Sequence, residues 1–267
     1  MPAPINQFKT ALASDTPQFG LWLALANGYT AEIAATSGFD WLLLDGEHAP
    51  NDLDTLNTQL MALSGHDVSP VVRIPHNDPA LIKQVLDMGA QTLLCPMVNS
   101  AREAQAIVEA MRYPPRGIRG VGHMLGRASG FNGVPDYLQT AEDQLCLIVQ
   151  AESVAAIDAL EEICAVDGVN GVFIGPADLC ADMGLLPDIT HPDVRITVRD
   201  GLARIRKAGK AAGIIDGDPD LIREDLDAGA NFVALGADVL LLADAMRSLS
   251  HSWKTQYLVD NSTSKTT

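Results

Sequence analysis

The chain has 267 residues, of which 47% are hydrophobic and 19% charged, with a formal net charge of −16. That length allows one large α/β domain or two smaller ones, and the acidic balance excludes nucleic acid or an anionic membrane as the main partner. An anionic substrate needs a local override of that field, from a metal ion or a well-placed arginine. Residues 4–14 read as a short amphipathic helix carrying Phe8 and Leu12. Short apolar runs then follow at 19–24, 41–44, 71–74, 92–95, 145–150, 172–174, 211–215 and 232–235. Between them lie segments of helical periodicity at 30–37, 51–63, 79–88, 100–111, 153–165, 192–208 and 218–228, with a last one at 237–250. Asn51, Asn77-Asp78-Pro79 and Asp218-Pro219 supply helix starts, and Gly38, Gly89 and Gly229 supply helix ends.

Strand and helix alternating eight times over is the arithmetic of a (β/α)8 TIM barrel. An open doubly wound sheet is the competitor, but it wants a glycine-rich phosphate loop after the first strand, and Ala24-Leu25-Ala26-Asn27-Gly28 is not one. With no internal linker or tandem repeat, residues 1–259 read as a single catalytic barrel domain and 260–267 as a disordered Ser/Thr/Lys-rich tail. The stretch from Tyr113 to Asn132 breaks the rhythm. Its glycines, arginines and aromatics read as a functional insertion on the strand-to-helix side of the barrel.

Cys95, Cys146, Cys164 and Cys180 are widely spaced with no CxxC pair, and Cys95 and Cys146 sit in apolar runs, as buried reduced thiols do. The N-terminus runs straight into polar, helix-like sequence, so no signal peptide is expected, and no apolar stretch reaches membrane-spanning length. A cytoplasmic protein is the expectation.

In a barrel the active site gathers at the carboxyl ends of the strands. Those ends read Asp45-Gly46-Glu47-His48, then Arg73, then Gln150 and Glu152, then Asp178. Glu152 and Asp178 form a natural metal pair with positions left open for water and substrate, suiting Mg2+, Mn2+ or Co2+. Strand alternation puts Gln150 and Glu152 on one face. Arg73 offers a permanent positive charge for a carboxylate or a developing enolate oxygen. His48 has the pKa range of a general base near neutrality and needs an orienting carboxylate, from Asp45 or Asp87. The competing reading makes Asp178 a helix N-cap acid, Glu152 a salt-bridged surface acid and Arg73 the partner of a structural acid. His66, His76, His191 and His251 read as solvent-facing, and His123 stays undecided. None of the six lysines ends a strand, so Schiff-base chemistry has no amine, and GxSxG is missing too.

Leu44-Asp45-Gly46-Glu47-His48, Val72-Arg73, Tyr113-Pro114-Pro115-Arg116-Gly117-Ile118-Arg119-Gly120, Val149-Gln150-Ala151-Glu152 and Phe173-Ile174-Gly175-Pro176-Ala177-Asp178-Leu179 together resemble the HpcH/HpaI aldolase family. The likeness runs from about Phe8 to about Leu249 and is greatest to its metal-dependent class II pyruvate aldolases acting on 4-hydroxy-2-oxoheptanedioate. The resemblance implies a homohexameric barrel, a trimer of dimers, whose last helix is exchanged between subunits. It implies Glu152 and Asp178 as metal ligands, Arg73 on the pyruvyl oxygen, and His48 with Asp87 and nearby Asp45 as the acid–base group. Gln150 would line the pyruvate site, and the backbone N–H groups of Ala177 and Asp178 would receive the pyruvate carboxylate. The substrates implied are a 2-oxo acid and an aldehyde such as succinate semialdehyde. His123 and Asp216 depart from the pattern, and we expect one of them to shift the aldehyde preference. A related lyase or decarboxylase acting on oxaloacetate or an acyl-CoA thioester is the alternative, and a non-catalytic 2-oxo acid binder is a third reading.

Overall fold

A computed structural model describes residues 2–14 and 16–263. Eight parallel strands close into a barrel in sequence order: β1 (Gln18–Leu23), β2 (Trp41–Asp45), β3 (Ser69–Arg73), β4 (Thr92–Cys95), β5 (Cys146–Ala151), β6 (Val169–Ile174), β7 (Ala211–Ile215) and β8 (Phe232–Ala237). This is the (β/α)8 architecture that the alternation predicts. β6 starts three residues earlier than its apolar run, because Asn170 is admitted to the strand by accepting a hydrogen bond from the Leu147 N–H (2.9 Å).

Alternation divides each strand between two cores. Leu42, Leu44, Val72, Val149 and Val172 face the surrounding helices. Trp41, Leu43, Val71, Leu94, Ile148, Phe173 and Phe232 fill the barrel interior. Gly20 and Gly213 make room for the rings of Trp41 and Phe232, which occupy the space a Cβ would need. The first helix, Gln7–Leu12, plugs the amino end of the barrel with Phe8 and Leu12. Phe8 lies 5.6 Å from Trp41 and 5.8 Å from Phe232, ring centroid to centroid.

Several helix ends match the reading. Asp78 and Asp218 cap helices with proline in the first turn, and Gly38, Gly89 and Gly229 take φ of +86°, +100° and +115°. Asn51 is not a cap. Asp52 closes a capping box with Thr55, and the Asn51 side chain instead donates to the Asp45 carbonyl (2.7 Å). Segment 153–165 breaks at Ala159 into Val154–Asp158 and Leu160–Ala165, and a helix that the periodicity missed, Pro176–Asp182, follows β6.

The Tyr113–Asn132 stretch lies on the other side of the barrel from the one expected. It follows helix Ala101–Met111 and leads into β5, which puts it on the helix-to-strand side, at the amino ends of the strands. There Arg119, fully buried, pairs with Asp87, and Arg127 reaches the carbonyl of Met88 (3.2 Å). The last helix, Asp238–Thr263, runs past residue 260, and 264–267 lie outside the described residues. It touches its own barrel chiefly at β1 and β8. All four cysteines are free and buried, and burial pushes the thiol of Cys146 up to about 12. No helix among the described residues is long and apolar enough to cross a membrane.

Candidate active site

The inward parity that puts Trp41, Leu43 and Val71 in the barrel also delivers Asp45 and Arg73 to its mouth, and the β2–β3 register pairs those two residues directly. Arg73 donates through Nε to Asp45 Oδ1 (2.9 Å) and through Nη2 to Oδ2 (2.8 Å). Its Nη1 lies 2.7 Å from Glu47 Oε2, and its guanidinium sits 4.2 Å over the Trp22 ring. The competing reading of Arg73 is therefore half right: it is paired with acids, yet it also lines the mouth. A guanidinium carries five N–H groups, so these contacts leave donors on Nη1 and Nη2 for a ligand.

On β5 the same parity runs through Ile148, Gln150 and Glu152. Glu152 is 3% exposed, so it is no surface acid. Its Oε1 accepts from the Met97 N–H (2.7 Å) and its Oε2 from the Gln150 amide. Met97 turns its N–H toward the carboxylate at a φ of +54°, a conformation that costs a non-glycine residue roughly 1–3 kcal/mol. Burial, helped by the charges of Asp178 and Glu47 and opposed by the Met97 N–H and Arg73, pushes the Glu152 carboxyl up to about 7. Burial likewise raises Glu47. Asp178 stands in the first turn of helix Pro176–Asp182, whose N-cap, Gly175, has no side chain with which to cap it. The cap cannot be larger, because a Cβ there would stand 2.7 Å from Glu152 Oε2. Asp178 is thus not an N-cap acid, and the Ala177 and Asp178 N–H groups face outward from a helix start.

Arg73, Gln150, Asp178, His48 and Trp22 border one cavity of about 410 Å³. No lysine among the described residues borders it, in keeping with the sequence. Gln150 Oε1 and Trp22 Nε1 are buried without a partner among the described residues. Four acids, the buried Asp45 and Glu152, the half-buried Glu47 and the exposed Asp178, thus gather near Arg73, an excess of negative charge. Among the described residues no three His, Cys, Asp or Glu side chains converge as a complete metal cage. Glu152 and Asp178 together fit a cation that takes its remaining ligands from water and substrate, as Mg2+ commonly does.

Two placements differ from expectation. The His48 ring is largely exposed and approaches neither Asp45 nor Asp87; its Nε2 lies 3.9 Å from Glu47 Oε2, while Asp45 Oδ1 accepts from the His48 backbone N–H (3.3 Å). Asp87 ends helix Pro79–Asp87, at the opposite end of the barrel, where it is engaged by Arg119. Within one chain it cannot orient His48. His123 lies beside it, stacked on Tyr137 at 6.3 Å, and so is also absent from the mouth, whereas Asp216 does border the cavity. Sequence reading missed Trp22, Met97 and Arg195, and gave Glu47 no role of its own. Trp22 could have been found from inward parity on β1, and a role for Glu47 from its place in the Asp45–His48 motif.

A (β/α)8 barrel that gathers a fixed arginine, two carboxylates and a helix start around one cavity at its mouth has the layout of an enzyme active site. The chain belongs to the HpcH/HpaI aldolase/citrate lyase family, whose model matches residues 18–245. It is a carbon–carbon lyase. It is 58% identical over 255 residues to a hydroxypyruvate/pyruvate aldolase of Roseovarius nubinhibens, covering 96% of this chain and 99% of that one. It is 53% identical over 245 residues to a 4-hydroxy-2-oxo-heptane-1,7-dioate aldolase of Escherichia coli, covering 92% and 94%. The crystal structure of a family protein from Burkholderia cenocepacia superimposes with a TM-score of 0.89 at 41% identity, covering 93% of this chain and 99% of that one.

Proposed function

We propose that the protein is a divalent-metal-dependent class II pyruvate aldolase, which forms and cleaves 4-hydroxy-2-oxo acids through a pyruvate enolate. The observation that carries this reading is the cluster of Glu152, Asp178 and Glu47 around Arg73, in which burial, helped by the neighbouring acids, keeps the Glu152 carboxyl protonated up to about 7. Glu152 and Asp178 would hold Mg2+, Mn2+ or Co2+, which supplies Lewis-acid polarisation of a keto group. Arg73, held in place by Asp45 and stacked on Trp22, gives its remaining N–H groups to the oxygen that gains charge as the enolate forms. The Ala177 and Asp178 N–H groups take the carboxylate, and the Gln150 amide oxygen, unpartnered, is available to the substrate. His48, at the rim, exchanges the proton of the 4-hydroxyl as the C3–C4 bond breaks or forms. The test is exchange of pyruvate methyl protons in deuterated water. It is expected with added metal, lost with chelator, and reduced in Arg73→Ala by about 100-fold or more, as removal of one oxyanion donor does elsewhere.

We propose also that the protein assembles as a homohexamer, a trimer of dimers. The last helix supports this, because it leaves Leu241, Met246, Leu249, Trp253 and Tyr257 exposed. Assembly supplies what the single chain lacks at His48, since Asp87 can reach that histidine only across a subunit boundary. Light scattering is expected to give six copies. Co-assembled His48→Ala and Asp87→Ala chains are expected to regain activity that neither has alone. A monomer active at full rate contradicts both statements.

A further inference from the structure

The cavity has a second half, facing the pyruvate side. Ile189, Ile215, Leu221 and Leu240 make it apolar, and only Arg195 and Asp216 interrupt them with charge. Arg195, in the first turn of helix Pro192–Lys207, is 5% exposed. It donates through Nη1 to Asp216 Oδ2 (3.1 Å) and through Nη2 to Asp225 Oδ1 (2.7 Å), while its Nε has no partner among the described residues. Asp216 follows β7, and its Oδ1 accepts from the Asp218 N–H (3.0 Å), so its carboxylate is held from two sides. Asp225, on helix Pro219–Asp227, is wholly buried.

We propose that the Arg195–Asp216 pair selects the aldehyde, favouring short hydroxylated aldehydes over aldehydes ending in a carboxylate. This rests on the aldolase reading and deepens it. A buried ion pair contributes little stability relative to apolar residues of the same volume, so its place in the wall of an otherwise apolar half-cavity calls for a ligand. A guanidinium shared by two acids presents no net positive charge, and a terminal carboxylate on the aldehyde would meet Asp216 without compensation. A hydroxyl group is donor and acceptor at once, and the pair offers an N–H and a carboxylate oxygen side by side. Asp225 acts as a positioning residue, fixing Arg195 so that the pair keeps this orientation.

The experiment couples pyruvate to glycolaldehyde, acetaldehyde and succinate semialdehyde and compares kcat/KM. Glycolaldehyde and acetaldehyde differ by one hydroxyl, so their ratio reads the pair directly. We expect the ratio to fall by about tenfold in Asp216→Leu, within what loss of a hydrogen-bonded hydroxyl produces in an enclosed site, and to fall through the aldehyde KM. Asp216→Asn is expected to raise the relative use of succinate semialdehyde. Should Asp216→Leu fail to fold, the double variant Arg195→Met with Asp216→Leu removes both partners, and burial, which raises the pKa of Asp225, then favours its neutral form. An unchanged ratio in a folded variant overturns the proposal while leaving the aldolase reading intact. Absence of pyruvate proton exchange in the wild type removes the aldolase reading and this proposal with it.

Discussion

Glu152 ties the site to pH. In the folded protein without metal its carboxyl keeps a proton up to about 7, against 4.5 for an ordinary glutamate, chiefly because of burial. Between those values the folded state holds a proton that the unfolded chain has lost, so this group lowers stability as pH rises through the window and adds no further slope above it. A cation at Glu152 and Asp178 needs the carboxylate ionised, so below about 7 its binding must expel that proton. A fixed concentration of Mg2+ is therefore expected to raise Tm more at about pH 8 than at about pH 6. Calorimetric scans at both pH values check this, and a larger shift at the acidic value contradicts it. For single residues the sequence was informative where parity governs. Asp45, Arg73, Gln150 and Glu152 are placed by counting alternate residues from Trp41, Val71 and Cys146. It was uninformative where a contact depends on loop backbone. The φ of Met97 and the long reach of Arg195 to Asp216 leave no trace in local composition.

Among the elements, the first helix does more for the site than its six residues suggest. Phe8 closes the end of the barrel opposite the mouth and packs on the same aromatic layer, Trp41 and Phe232, that lies beneath Arg73 and Gln150. Asn6 anchors the helix by capping it and by donating to Thr92 Oγ1 (3.0 Å), and Asn231 donates to the Leu12 carbonyl (3.1 Å). Phe8→Ala is expected to cost about 3–5 kcal/mol, the range for removing a large buried aromatic, with loss of activity following loss of packing. Denaturant melts measure it, and a change below about 1 kcal/mol would show that the barrel interior does not need its plug. The strands were legible because each apolar run is too short for a helix, too apolar for a surface loop, and bounded on both sides by helical periodicity. Helix Pro176–Asp182 was not, since Pro176-Ala177-Asp178 reads as the end of a strand motif and the seven residues are too few to show a period. The Tyr113–Asn132 stretch was legible as unusual but assigned to the wrong side, although its position after a helix and before a strand decides the matter.

Across the barrel as a whole, eight strands in sequence order gather residues from β2, β3, β5 and the start of the helix after β6 at one end, and this convergence makes the site. The same topology sends Asp87, Arg119 and His123 to the other end, where exposed Val121, Met124, Leu125 and Phe131 surround them. A single chain therefore shows two surfaces, an acidic mouth with an unsupported histidine and an apolar end with a carboxylate, which the hexamer we propose would bring together. Everything proposed for the mouth depends on one step, deprotonation of the methyl group of pyruvate with help from a cation and Arg73. Loss of the pyruvate methyl proton signal in deuterated water, followed by NMR with Mg2+, Mn2+ or Co2+ added and then chelated, reads that step alone. Metal-dependent exchange is expected in the wild type and little in Arg73→Ala. No exchange with any of the three cations, or equal exchange in Arg73→Ala, would contradict it.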